Sequence, residues 1–383
     1  KLKEIEPDEW LLAMPGIKLS QFCGIEKSHF ASETAKLSIW IAQHQMNIFY
    51  KEVFDVIKPS LPINDNPNII CANSITYEWK NFFLKDPIES KIYILGNPPF
   101  KAKSKRNKAQ QDDIKYYFGK TRNIDYVALW FLKACDFADY FIETKIGFVA
   151  TNSINQGEQV ELLWEGILKR NFHIFFAYKS FKWKNNAKNN ATVTVSIICL
   201  SKKKNDQKIL VIDEQSFNVK NINPYLISAP NLIIKKTKQN LFSLPKMTIG
   251  EMPRDNGHLL LDLKDKNEIL TKHPEAEKFI KPFVGGKEFI NNLKRWCIWI
   301  NDKQKKEAEN FFLIKKRIEQ VKKFRNSSSN LTTVAYANKA YRFVEIRKQE
   351  KEAFFLPETS SAEREYVPVG YAEKDIIFSN SIK

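Results

Sequence analysis

Few cysteines and histidines occur in this sequence, and neither type is grouped. Cys23, Cys71, Cys135, Cys199 and Cys297 stand singly among 383 residues. Without a Cys-x-x-Cys pair there is no zinc site or disulfide framework to organise the fold, and a reducing, cytoplasmic setting is expected. The five histidines form no pair at helical spacing, so no metal centre is expected. Uninterrupted apolar runs of about 18 residues are missing, which excludes a membrane-spanning helix. The opening Lys-Leu-Lys-Glu-Ile-Glu has no apolar core of the kind a signal peptide needs. Internal repeats and low-complexity tracts are absent too. Residues 1–21 contain one glycine, Gly16, a shortage that matters once the motifs are read.

What is abundant is positive charge. The formal net charge is +17, which points to a polyanionic partner. The excess is clustered: residues 101–108 carry five cations and residues 301–350 carry 13 Lys/Arg against 6 Asp/Glu. Such runs are most often solvated faces, but beside a catalytic loop they suit phosphate anchoring, which positions a duplex without reading it. Apolar residues at 43% and aromatics at 13% are ample for globular cores. The length suggests two or three domains.

Strand-like and helix-like segments alternate through the first 200 residues. Phe22–Glu26, Ile69–Ala72, Ile92–Leu95 and Lys145–Ala150 read as short buried strands. Residues 28–49, Asp125–Tyr140 and Glu158–Lys169 read as helices, with Asp125 as the cap of the second. Phe172–Tyr178 and Val193–Leu200 suit an antiparallel pair. This alternation predicts an α/β sheet, with ligands at the carboxyl ends of its strands. Glu26, Asn73 and Asn97 each fall at such an end. Polar and proline-rich sequence between 205 and 250 marks the domain boundary, and a long basic helix is predicted over Lys303–Arg325.

The most informative segment is Gly96-Asn97-Pro98-Pro99-Phe100, directly after Ile92–Leu95. Two prolines have no N–H to donate, so they end the strand abruptly. They present the Asn97 amide and the Pro98 carbonyl at its carboxyl end. An aromatic amine placed there meets two acceptors that draw its hydrogens and free its lone pair to attack. Phe100 offers a ring for a flat base to stack on, and Phe181 and Trp183 are candidates for the opposite face. Glu26 suits a ribose diol, since one carboxylate accepts from both hydroxyls. The commonplace alternatives are a strand-ending turn for the Asn-Pro-Pro-Phe segment, a helix cap for Glu26, a turn residue for Asn73 and core packing for the aromatics.

Taken in order, these segments resemble adenine-specific amino-methylating DNA methyltransferases with a C-terminal recognition domain. The match sharpens with Ala42-Gln43-His44-Gln45-Met46-Asn47, Asp125-Tyr126-Val127, Thr151-Asn152-Ser153-Ile154, Phe181-Lys182-Trp183, Arg295-Trp296-Cys297 and Arg364-Glu365-Tyr366-Val367-Pro368. Together they are similar to the MmeI-like type II restriction-modification family, whose nuclease, methyltransferase and specificity modules share one polypeptide. The resemblance runs from about residue 17 to the end. It implies a Rossmann-like class I S-adenosylmethionine-dependent sheet, lacking its N-terminal part, over residues 1–225. Residues 226–383 would form an α+β target-recognition domain. S-adenosylmethionine is the implied cofactor and double-stranded DNA the implied partner, for a monomeric protein acting on adenine N6. The amine-activating loop would be Asn97, Pro98, Pro99 and Phe100, with Glu26, Asn73 and Trp130 against the cofactor. Phe100, Phe181 and Trp183 would clamp the flipped base. DNA contacts would come from Lys101, Lys103, Lys105, Arg106, Arg342, Ser361, Glu363, Arg364 and Tyr366.

The sequence departs from the family in three places. The glycine-rich cofactor loop expected before Glu26 is missing, as is the nuclease acid-and-lysine motif, so the chain reads as part of a larger protein. Lys101 replaces the small residue usual after the aromatic. No Pro-Cys nucleophile accompanies the loop, which agrees with direct attack by the amine. Two alternatives stay open at this point: a DNA-binding specificity fragment without activity, and a methyltransferase for RNA or protein glutamine.

Overall fold

Short β-branched runs closed by turn residues, interleaved with amphipathic stretches, build most of the first half of the chain. A computed structural model describes residues 18–54, 66–83, 91–101, 105–120, 122–183, 193–203, 207–237, 247–347, 352–361, 364–372 and 375–383. It divides into two compact units, Lys1–Lys238 and Gln239–Lys383. Among the described residues no helix is long and apolar enough to cross a membrane.

In the first unit, β1 (Cys23–Glu26) pairs in parallel with β2 (Asn68–Cys71), with Glu26 opposite Cys71. Helix α1 (His29–Phe54) connects them. A six-stranded sheet follows, in the order β3-β4-β6-β5-β7-β8. Its strands are β3 (Ile92–Gly96), β4 (Thr144–Thr151), β5 (His173–Trp183), β6 (Val193–Ser201), β7 (Lys208–Ile212) and β8 (Gln215–Val219). β3 runs parallel to β4, and β6 inserts antiparallel between β4 and β5. The sheet is mixed: β3, β4, β5 and β7 run one way, and β6 and β8 run the other. Among the described residues β1 pairs with β2 alone and β3 with β4 alone, so each keeps an open edge.

Three helices surround this sheet. In α2 (Lys108–Phe118) Asn107 and Gln110 form a reciprocal capping box, and Gly119 at φ 69° closes the helix. Helix α3 (Ala128–Ala138) is buried on nearly every side, and α4 (Gly157–Lys169) buries Val160, Leu163, Trp164 and Ile167. The core gathers Phe131, Phe148, Trp164, Ile174 and Ile198. Leu226 joins it, and the Lys235 and Lys236 ammonium groups pair with Glu165 and Glu158 of α4. The stretch after residue 225 therefore packs on the first unit.

The second unit carries a small sheet in the order β14-β10-β11-β9. Its strands are β9 (Leu260–Leu261), β10 (Ile280–Val284), β11 (Trp296–Ile298) and β14 (Ile377–Phe378). Helices α5 (Leu263–Lys272), α6 (Gly286–Ile290), α7 (Lys305–Ala308), α8 (Phe312–Asn326) and α9 (Leu331–Ala335) accompany it, as does the hairpin of β12 (Ala353–Phe355) and β13 (Gly370–Ala372). Arg325 of α8 is wholly buried. Its guanidinium donates to the carbonyls of Pro253, Arg254, Tyr336, Lys339 and Arg342 at 2.8–3.0 Å.

Three expectations are corrected. The helix foreseen over Lys303–Arg325 is two, because Phe311 takes an extended backbone and packs its ring on Phe279 and His273. Asp125 does not cap α3. That helix starts at Ala128, while the Asp125 carboxylate accepts from Ser153 Oγ. The strand foreseen over Phe172–Tyr178 runs on past a bulge to Trp183 as β5, so Phe181 lies within it, opposite Val195.

Candidate active site

One cavity of about 580 Å³ runs the length of β1 and β3 and past the carboxyl end of β2, within the usual range of roughly 300–1,000 Å³ for ligand pockets. Glu26, Asn73, Asn97, Pro98, Pro99 and Trp130 all line it. Sequence separations of 47 residues between Glu26 and Asn73 and 24 between Asn73 and Asn97 are thus closed around one cavity, each residue at or just past the carboxyl end of its strand, where α/β sheets bind ligands. Trp79, Phe82 and Tyr126 complete its aromatic wall, and Cys23 stands at the exposed start of β1.

Each wall has its own support. Pro98 is buried while Asn97 is exposed, so the proline anchors the turn and the amide faces solvent. Phe100 is half-buried and packs partly against the core rather than lining the cavity. After the loop, the Lys101 carbonyl accepts from the Tyr126 amide at 3.1 Å. Asn73 closes a local turn, its Oδ1 accepting from the Ile75 amide at 3.0 Å, and its Nδ2 donates to Asp113 Oδ1 at 2.8 Å. The other Asp113 oxygen accepts from the Tyr126 hydroxyl. Burial, reinforced by that bond to Asp113, pushes the Tyr126 phenol well above its ordinary value. The Tyr126 ring meets Trp130 edge to face at 5.2 Å between centroids.

Chemically the cavity can hold a molecule with a flat ring and a vicinal diol. Glu26 can accept from both hydroxyls, and Trp79, Phe82 and Trp130 supply apolar surface. At the β3 end, Asn97 and Pro98 supply oxygen acceptors for an amine. The lining fits a nucleoside-type methyl donor on this composition. Among the described residues no cluster of His, Cys, Asp and Glu suits a metal ion.

Other expected residues fall as follows. Phe181 is half-buried, with its ring 4.8 Å from Tyr178. The Trp183 backbone closes β5, and its side chain lies outside the described residues, as do Lys103 and Glu363. Lys101 and Lys105 are exposed. Arg106 differs from the expected surface cation: it is 9% exposed, its Nη2 donates to the Arg122 carbonyl at 3.3 Å, and burial depresses its pKa. In the second unit, Arg342 Nη1 pairs with Asp302 at 2.7 Å. Ser361, Arg364 and Tyr366 are exposed in the segment linking β12 to β13, and Tyr366 is 77% accessible. Val367 and Phe354 add exposed apolar surface there. The sequence reading missed Trp79, Phe82 and Asp113. The density of aromatics in Tyr77-Glu78-Trp79-Lys80-Asn81-Phe82-Phe83, just after Asn73, was the available signal for the first two.

Comparison with known proteins agrees with this geometry. The family described as MmeI, DNA-methyltransferase domain, matches residues 2–212, and the family described as MmeI, target recognition domain, matches residues 228–383. A curated Bacillus subtilis (strain 168) protein named DNA methyltransferase A is 39% identical over 378 residues, covering 97% of this chain and 42% of that protein. A solved structure of the type IIL restriction-modification enzyme MmeI in complex with DNA superposes with a TM-score of 0.85 at 35% identity. It covers 96% of this chain and 50% of the MmeI chain. The chain thus spans about half the length of these relatives.

Proposed function

Because the chain belongs to the MmeI family of joined methyltransferase and target-recognition domains, we propose that the protein it represents methylates adenine N6 at a specific site in duplex DNA, within a restriction-modification system. The methyl donor in this reading is S-adenosylmethionine. The observation that carries it is the meeting of Asn97, Pro98 and Pro99 with Glu26, Asn73 and Trp130 around one cavity.

When bound, S-adenosylmethionine supplies an electrophilic methyl group. Glu26 holds the ribose hydroxyls, and Trp130, backed by Tyr126, lies against the adenine. Asn97 Oδ1 and the Pro98 carbonyl accept the two hydrogens of the target amine, localising its lone pair and fixing its direction of attack. Formation of the new N–C bond would be matched by loss of the donor's S–CH3 bond, its electron pair staying on sulfur, and the proton the nitrogen sheds would stay hydrogen-bonded to the same acceptors until solvent takes it. Phe100 and Phe181 offer rings to a base drawn out of the stack. The second unit positions the duplex. There Arg364 suits guanine, Tyr366 and Ser361 suit groove contacts and Arg342 suits phosphate, while Lys101 and Lys105 of the first unit suit phosphate as well.

The complete polypeptide, supplied with methyl-tritiated donor, is expected to label adenine in duplex DNA. Label on RNA or protein alone would overturn the proposal. Asn97→Ala in the same protein should lower methylation by about 100-fold or more with DNA affinity retained. Equal loss of both would make the loop structural. A second reading, a DNA-binding specificity fragment, is favoured by one observation: among the described residues the glycines lining the cavity are Gly24 and Gly96, both inside strands rather than in a glycine-rich turn. Calorimetry of this chain with S-adenosylmethionine separates the two.

A further inference from the structure

Asp113 is 6% exposed on α2 and, among the described residues, no ion pair offsets its charge. Burying a carboxylate with neutral donors alone is costly, so its position calls for an explanation. Its two oxygens are divided between two walls of the cavity. One accepts from Asn73 Nδ2, on the loop after β2, at 2.8 Å. The other accepts from the Tyr126 hydroxyl, and the Tyr126 amide donates to the Lys101 carbonyl at the end of the Asn-Pro-Pro-Phe loop. Tyr126 also stands edge-on to Trp130. The helix bearing Asp113 is itself fixed by the Asn107–Gln110 box, and Gln110 lines the cavity.

We propose that Asp113 is a positioning residue that ties the methyl-donor side of the cavity to the amine-activating loop, through Asn73 on one side and Tyr126 on the other. It touches neither reactant in this assignment. It fixes the Asn73 amide and keeps the Tyr126–Trp130 pair upright against the donor, while Tyr126 carries the same constraint to Lys101. The inference rests on the methyltransferase reading above.

Asn at this position keeps the shape but turns an N–H toward one of two donors, so one tether is lost. Tyr126→Phe removes only the hydroxyl. In the complete polypeptide, Asp113→Asn is expected to weaken S-adenosylmethionine binding about tenfold by calorimetry and to lower kcat, with duplex affinity and melting temperature near wild type. Tyr126→Phe is expected to shift donor affinity in the same direction by a smaller factor, and decides the matter if Asp113→Asn does not fold. Donor affinity unchanged in the folded variant, or a proportionate loss of donor and DNA binding, overturns the proposal. Wild-type protein that binds no S-adenosylmethionine would instead overturn the functional reading beneath it.

Discussion

At position 251 a carboxylate sits almost out of reach of water. Glu251 is 6% exposed, and one oxygen accepts from the Arg347 amide at 2.5 Å. Burial pushes its pKa up to about 7, against the lowering pull of Arg347. Between the ordinary value of 4.5 and 7 the folded chain keeps a proton that the unfolded chain has lost. Native protein then binds more protons, so this group's contribution is whole below 4.5 and is lost as pH rises through 7. Glu251→Gln keeps the acceptor without the charge. Its stability relative to wild type should rise across this window, by at most about 3 kcal/mol, in denaturant titrations at pH 5 and pH 8. A difference that is constant with pH would contradict the assignment. Residues differ in how plainly sequence shows where they sit. The place of Asn97 just past a strand end was legible because two prolines leave its strand one way to end. Asp113 was not, since its partners lie 40 and 13 residues away and an acid in a polar helix has no periodic signature.

Elements follow the same logic. β1 to β4 were legible because each is a short apolar run with a polar stop. Helix α2 was not, because its buried residues are Asp113 and Ile114 alone, so it has little apolar stripe to read. The β7–β8 hairpin was missed because Asp213 and Glu214 turn it with φ of 47° and 67°, where Asn-Gly is the usual signal. Helix α8 makes the strongest claim at this scale. Arg325 uses all its N–H groups on five carbonyls from three segments, and burial lowers its pKa to about 10, which leaves it charged at neutral pH. Arg325→Met would orphan those carbonyls, at about 1–3 kcal/mol for each one that stays dry. The second unit should therefore unfold at markedly lower denaturant, with Arg325→Lys intermediate because it has fewer donors. A melting curve within a degree or so of wild type for Arg325→Met would show that the segments hold each other without it.

Across the 383 residues as a whole, the net charge of +17 is the governing quantity. Affinity of the complete polypeptide for duplex DNA should fall at least about tenfold between roughly 50 and 200 mM salt, read by fluorescence anisotropy. A flat salt response would place the excess charge away from the duplex. Two separate cores, one around Phe131 and Trp164 and one around Phe279 and Phe343, underlie the two units. The sequence showed the change of composition between them. It did not show that residues 226–237 stay with the first unit, because Leu226 and Ile233 become core only once the sheet exists.

The sulfur atoms are sorted by depth. Cys135 and Cys297 are buried and Cys199 is half-buried, and burial raises all three thiols, Cys199 to about 11. Cys23 and Cys71 face solvent on β1 and β2, and Cys23 borders the cavity. A maleimide dye at neutral pH thus has two addresses, both on the parallel ribbon. The label at Cys23 would read cavity occupancy, with Cys71 as its internal reference.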